Sequence, residues 1–255
     1  MTAGVVGSTS VREHLSAALV VIGNEILSGK ITDTNTHFLA RELRSLGVSL
    51  ERVAVIPDDI AQIASDVADC SRRFDVVFTS GGVGPTHDDI TMEGVAAAFG
   101  RPMVEHAGLR RAIEDFVGKR VNAAHLKMAR VPEGCDLIAD DQLGFPTVVV
   151  ENVYVLPGIP ELFQAKILSL RDRFRARPYH LRQVLVRDNE TRIAEFLNAT
   201  LLAFPELLLG SYPKLSDPDY RVRLTLESKD EAYVDRALAD LVGRLPAGCV
   251  FRVEG

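Results

Sequence analysis

The stretch Phe74-Asp75-Val76-Val77-Phe78-Thr79-Ser80-Gly81-Gly82-Val83-Gly84-Pro85-Thr86-His87-Asp88-Asp89-Ile90-Thr91 decides the fold. Its first third carries no charge after Asp75, which suits a strand buried on both faces of a parallel sheet. In the middle, Gly81, Gly82 and Gly84 allow positive φ and close backbone approach, and Pro85 fixes the exit. Backbone N–H groups in such a turn converge on an anion. The last third brings Asp88 and Asp89 to the start of an alanine-rich segment at 91–99 that reads as a helix. Strand, amide-rich turn and acids in that order place a phosphate beside a divalent cation.

The pattern recurs on both sides. Residues 17–22 form a continuous apolar run that stops at Gly23, as in a central parallel strand. The loop over 23–35 mixes two glycines with Asn24, Glu25, Lys30, Asp33 and Asn35, at the strand end where open α/β sheets place their sites. Asp33, Thr34 or Asn35 equally reads as the cap of the next helix, whose Phe38, Leu39, Leu43 and Leu46 recur at helical spacing before Gly47. Downstream, Leu156-Pro157-Gly158-Ile159-Pro160-Glu161 passes from a strand into a helix that runs to about Arg175. Pro157 and Gly158 thus sit in a second rigid amide cradle.

Between these blocks the patterns predict a strand over 48–56 and a helix over 60–73 introduced by Pro57-Asp58-Asp59. Asp59 reads as a helix cap, whereas Asp58 falls along the same sheet edge as the glycine turn. Two helical stretches follow at 106–118 and 122–130, then a turn at 131–134 and a hairpin joining 145–150 to 153–156 through Glu151-Asn152. Lys127 and Arg130 are partners for phosphate or simply solvated. A tail at 1–14 then precedes a three-layer α/β/α, mostly parallel sheet over 15–176, and the turns after Ile22, Ser80 and Leu156 converge on one edge. From 177 to 255 the pattern changes to a smaller α+β domain: strands at 181–186 and 220–227 with one wet face, and helices at 190–202 and 230–245. The segment 210–214 reads as a connector whose Tyr212 and Lys214 could reach a neighbouring site.

Composition limits what such a site serves. With 255 residues, 47% hydrophobic and 25% charged, the chain is long enough for one large domain or two small ones. No apolar run approaches the roughly 20 residues that span a bilayer. The first 14 residues lack the basic start and apolar core of a signal peptide, so a cytoplasmic location without a membrane partner is expected. Cys70, Cys135 and Cys249 are too few and too widely spaced for a zinc site or a disulfide framework. A formal net charge of −6 argues against broad nucleic-acid binding, and an anionic ligand would need local compensation by backbone amides or a metal. Neither a Gly-x-Gly-x-x-Gly after the first strand, nor a Gly-Lys-Ser/Thr, nor a Gly-x-Ser-x-Gly motif occurs. Water activated by a bound metal is the chemistry left to these residues.

The blocks at 81–91, 23–29 with 33–35, and 156–161 closely resemble the molybdopterin-binding-like family that includes MogA, MoaB and the N-terminal part of CinA. Within it, 34–39, 55–59 and 152–162 look most like the N-terminal domain of eukaryotic FAD synthases, and the region after 178 is similar to the small KH-like domain that follows there and in CinA. Asp140-Asp141-Gln142-Leu143-Gly144-Phe145-Pro146 departs from the segment found in CinA. Proteins of the MogA type adenylylate or bind molybdopterin, and their functional acids match Asp58 and Asp89. The CinA-like and FAD-synthase-like branch, to which the motifs assign this chain, implies metal-dependent hydrolysis of a nucleotide pyrophosphate such as FAD or ADP-ribose. Asp89, Asp88 and Asp58 are then the catalytic candidates. Glu25, Asp33, Asp88 and Asp89 are candidate ligands for Mg²⁺, Mn²⁺ or Co²⁺, since hard cations prefer oxygen. Substrate contacts are expected from Gly23, Asn24 and Asn35, from Gly81, Gly82, Gly84, Pro85 and Thr86, from Pro157 and Gly158, and from Lys127. His87 is an acid, a base or a solvated loop residue. A molybdopterin binder or transferase and a non-catalytic regulatory relative are the alternatives, and a homodimer or other homo-oligomer is expected.

Overall fold

The uncharged run before the first glycine loop is buried along its whole length after Ser16, because its alternate side chains feed two separate cores. Ala18, Val20 and Ile22 enter one, and Ala17, Leu19 and Val21 the other. A strand with apolar groups on both faces needs a helical layer on each side, which is the reason for the three-layer arrangement.

The computed structural model describes residues 12–139, 144–214 and 218–255. Most of the expected tail and the segment 140–143 lie outside them. Two units divide the chain, the first ending at Arg177 and the second comprising Pro178–Gly255. In order, the first contains β1 (Ser16–Ile22), α1 (Asn24–Leu27), α2 (Asn35–Ser45), β2 (Ser49–Ile56), α3 (Ile60–Arg73), β3 (Val76–Ser80), α4 (Thr91–Ala98), β4 (Met103–Glu105), α5 (Ala107–Val117), α6 (Ala123–Lys127), β5 (Arg130–Pro132), β6 (Asp136–Ile138), β7 (Thr147–Val150), β8 (Val153–Val155) and α7 (Pro160–Leu170). The second contains β9 (His180–Val186), α8 (Glu190–Ala203), β10 (Leu208–Pro213), β11 (Val222–Ser228), α9 (Glu231–Arg244) and β12 (Val250–Glu254).

The main sheet has the order β2-β1-β3-β8-β7-β6, with the first four strands parallel and the β8–β7 and β7–β6 pairs antiparallel, so that β7 alone runs the other way. On one face α2 and α7 contribute Leu39, Leu43, Phe163 and Ile167; on the other α3, α4 and α5 contribute Ile63, Val67, Val95 and Ile113. Register then sets the site. Val21 pairs with Ser80 and Phe78 with Tyr154, so β1, β3 and β8 end level with one another. The hairpin turn between β7 and β8 places Glu151 at φ 53. The second unit is an antiparallel sheet of order β10-β11-β9-β12, with Ile193 and Leu197 of α8 and Val234 and Leu241 of α9 packed on Val184, Leu224 and Leu226.

Several expectations need correction. The turn expected at 131–134 begins as β5, whose buried Val131 pairs with Val104 of β4, and the helix before it stops at Lys127 rather than Arg130. The connector expected at 210–214 is most of β10, an edge strand, where Pro213 can sit without breaking a ladder on both sides. The long helix after Pro160 ends at Leu170 and continues as a 3-10 turn over Arg171–Phe174. Strands β6 and β12 carried no usable sequence signal: β6 is three residues long, and β12 shows no clean alternation in burial.

Candidate functional site

The three strand-to-helix turns meet backbone to backbone. Gly81 follows β3 at φ +107, and a β-carbon there would come 2.2 Å from the Ile22 carbonyl oxygen at the end of β1. A β-carbon on Gly158, after β8, would come 3.2 Å from Gly81 Cα. Only glycine allows this stacking of main chains. The Gly81 N–H donates to the Leu156 carbonyl at 3.2 Å, and Thr91 donates its hydroxyl to Gly81 O (2.8 Å) and its N–H to Gly82 O (2.9 Å), which ties α4 to the turn. Among the described residues, the N–H groups of Gly82, Val83, Gly84 and Gly158 have no acceptor.

Asn35, at the start of α2, joins the same junction from below. Its side-chain amide donates to Ser80 Oγ and to the Gly158 carbonyl, each at 2.9 Å. Its own oxygen Oδ1 is buried with no partner, although the residue is only 4% exposed. Asn35 therefore fixes the spacing of two turns instead of offering its N–H₂ to a ligand.

A cavity of about 740 Å³ opens over the turns. Gly81, Gly82, Gly84, Pro85, Pro157 and Gly158 line it, as do Glu25, Asp89 and Lys127. A smaller cavity of about 80 Å³ is lined by Glu25, Asp33, Asn35, Gly81 and Gly158, so three residues border both. Gly23, Asn24, Asp58, Thr86 and Asp88 line neither. Asp58 accepts the Asn24 N–H at 2.9 Å and anchors the first loop, while Asp59 caps α3 by accepting from Gln62 N at 2.8 Å. Asp33 accepts the N–H of Thr36 at 3.1 Å and its hydroxyl as well, which makes it a helix cap that also borders the small cavity.

Asp88 and Asp89 precede α4 but do not cap it. Both turn back to Thr86, whose hydroxyl is within donating distance of Asp88 Oδ1 (2.6 Å) and Asp89 Oδ2 (2.5 Å), and whose N–H donates to Asp89 at 2.8 Å. The Thr86 hydroxyl holds the Asp88 carboxyl below the ordinary carboxylate range, so Asp88 stays ionised near neutrality. His87 is solvated, with its side chain 97% exposed. Lys127, at the end of α6, donates its ammonium to the carbonyls of Thr86 and Asp89 (2.8 Å for the latter) and so latches the acid-bearing loop.

The fit to a divalent cation divides between the two cavities. Among the described residues no three His, Cys, Asp or Glu side chains gather closely enough to hold an ion, so Glu25, Asp33, Asp88 and Asp89 do not form one cage. The small cavity, however, carries the carboxylates of Glu25 and Asp33 with Thr32, Thr34, Asn35 and Ser80, no basic side chain, and apolar residues such as Ile26 and Ile31, and the amide oxygen of Asn35 is buried without a partner. Such a set suits a hard cation that takes its remaining ligands from water or phosphate.

Sequence reasoning missed much of the main wall. Met92, Ile113, Phe116, Val117, Met128, Leu162 and the buried Lys166 all line the large cavity. The α5 stripe Leu109–Ile113–Val117 carried the signal, since Phe116 lies at its border.

Comparison with known proteins identifies the family of each unit. The model of the probable molybdopterin binding domain matches residues 18–171, and that of the FAD synthase middle domain matches 178–254. A protein from Archaeoglobus fulgidus is 35% identical over 222 residues, covering 86% of this chain and 93% of its own length. A probable FAD synthase from Caenorhabditis elegans is 34% identical over 259 residues, covering 90% of this chain but 50% of its own, so the chain spans about half of that relative. Among solved structures, the protein CinA with unknown function from Thermoplasma acidophilum is 30% identical at a TM-score of 0.58, covering 63% of this chain and 98% of that one. The chain belongs to the molybdopterin-binding-domain family, in the company of CinA-like proteins and FAD synthases.

Proposed function

We propose that this protein hydrolyses a nucleotide pyrophosphate of the FAD or ADP-ribose type with the help of a divalent metal. The observation that carries the reading is the meeting of three strand-end turns at one cavity large enough for a whole dinucleotide, with main-chain N–H groups left without acceptors. The amides of Gly82, Gly84 and Gly158 bind the diphosphate, because an N–H without an internal acceptor gains most from an anion. Proline at 85 and 157 pre-sets these turns, so little ordering is needed on binding. Asp89 lines the cavity as an acceptor for a proton of the attacking water, and Asp88, kept ionised by Thr86, supports it through the shared hydroxyl. The water oxygen bonds to one phosphorus as the bridging P–O bond breaks, giving AMP with FMN or with ribose phosphate.

Glu25 and Asp33, with the Asn35 carbonyl, would hold Mg²⁺, Mn²⁺ or Co²⁺ beside the diphosphate. When bound, the cation supplies neutralisation of phosphate charge and a more acidic water. A second reading, binding of molybdopterin through the same turns, is favoured by the family model that matches 18–171.

Incubating the protein with FAD, ADP-ribose and molybdopterin, with and without Mn²⁺ or Co²⁺, separates the two by chromatography of the products. AMP formation that needs the metal and is lost in Asp89→Asn supports hydrolysis. Retained, unhydrolysed pterin supports the second reading, and undiminished turnover in Asp89→Asn removes the role given to that carboxylate.

A further inference from the structure

Phe116 stands on the last turn of α5, 86% exposed, whereas Leu109 and Ile113 of the same helix are buried. It nevertheless lines the cavity that the glycine turns share. Among the described residues, no aromatic ring or basic group stacks on it. The apolar part of the same lining includes Ile113, Val117, Met128 and Leu162, none of which offers a hydrogen-bond donor, while His125, Lys127, Arg130 and Lys166 are its basic members. A large apolar ring left in water beside an anion site is a seat for the flat part of whatever the anion carries.

We infer that Phe116 is a specificity-determining residue that stacks on a large flat ring with an apolar edge, of the flavin kind, in preference to a purine or a sugar. The inference rests on the reading of this cavity as a diphosphate site. Against those apolar side chains the amine and ring nitrogens of adenine would lose water without gaining partners, and a sugar would lose it at every hydroxyl. A methylated benzenoid edge loses nothing of the kind, and its π-face gains the stack. Two thioethers in the cavity, Met92 and Met128, adapt their shape to a ring and favour contact with it.

The test is equilibrium binding of FAD, FMN and ADP-ribose to the full chain in chelator, comparing the wild type with Phe116→Ala and Phe116→Tyr. The exposure of Phe116 means that neither substitution removes core packing, and circular dichroism checks the fold. Phe116→Ala is expected to weaken FAD and FMN about 5- to 150-fold, the ratio that ~1–3 kcal/mol of ring stacking converts to. ADP-ribose should change less than twofold, and Phe116→Tyr should restore flavin binding. Equal losses for FAD and ADP-ribose, or no loss for either, overturn the inference. Flavin binding that depends on Phe116 but gives no turnover once Mn²⁺ or Co²⁺ is supplied overturns the hydrolytic reading alone, and failure of all three ligands to bind both in chelator and with added metal overturns both.

Discussion

Replacing Lys127 by Met separates two roles that the sequence could not distinguish. In the structure its ammonium is committed to the carbonyls of Thr86 and Asp89, so it closes the loop that carries both acids. The latch stands on a fixed base: Asn122 caps α6 by accepting from His125 N at 3.1 Å, and the His125 ring accepts from Asn122 N at 3.3 Å. A hydrogen bond from a charged donor contributes about 1.5–3 kcal/mol when buried. One of the two here is exposed and the other half-buried, so ~1–3 kcal/mol for the pair is the reasonable total after screening. Because these bonds exist in the closed form alone, their loss should raise the opening equilibrium of the loop about 5- to 150-fold and lower global stability by the same ~1–3 kcal/mol. Amide hydrogen exchange read by mass spectrometry on peptides covering 82–90 should accelerate by that factor, with β1 and α3 still exchanging far more slowly than the loop. Ligand affinity should hold as long as the open form stays a minority, since the binding-competent fraction then remains near one. Unchanged exchange at 82–90, together with a large and salt-dependent loss of diphosphate affinity, would refute the latch and return Lys127 to the role of a phosphate contact.

Two further perturbations test the frame. Gly81→Ala puts a β-carbon against the Ile22 carbonyl at positive φ, whereas Gly100→Ala at φ +62 meets nothing within 4 Å. Urea unfolding should therefore show a loss of at least about 2–3 kcal/mol for the first and about 1 kcal/mol for the second, and equal effects would mean that strain alone matters. Asp75 accepts the hydroxyl (2.6 Å) and N–H (2.8 Å) of Ser16, and the hydroxyl bond first, then the N–H, holds its carboxyl below the usual range. Its contribution is thus present above the unfolded carboxylate value near about pH 4 and is lost as pH falls through the lower folded value. Asp75→Asn should lower the urea midpoint at pH 7 and narrow its gap to the wild type at pH 3; a gap that stays constant with pH counts against the bond.

What the sequence revealed of this molecule is what the backbone controls. The run 17–22 has no polar group to place in water, so its double burial followed directly, and the glycines at 81, 82 and 158 announced turns whose main chains approach closely. The acids behaved differently. Asp33, Asp58 and Asp59 are the same residue type at two loop ends, yet one caps α2 and borders a cavity, one anchors Asn24, and one caps α3. Asp33 and Asp59 meet amides three residues on, a local cap pattern, whereas the donor that Asp58 meets lies 34 residues away and depends on β1 and β2 lying side by side, which nothing local encodes. The three-residue strands β5 and β6 were hidden for the same reason, since their pairing energy comes from a distant partner and not from their own periodicity.

The charge pattern of the two cavities bears on where a cation would sit. The larger one sets Lys127, Arg130 and Lys166 against Glu25, Asp89 and Glu93, close to a balance, although the chain as a whole carries −6. The smaller one has Glu25 and Asp33 and no basic group. Because Glu25, Gly81 and Gly158 border both, a diphosphate over the turns would face that unbalanced pair across a shared wall. Lys127 does little to offset it, since its ammonium already serves two carbonyls. Repulsion between the diphosphate and the pair is relieved most directly by a cation in the smaller cavity, where the buried oxygen of Asn35 also has no donor of its own. Anion and cation would then each make the other's site favourable, and their affinities should rise together by the same factor.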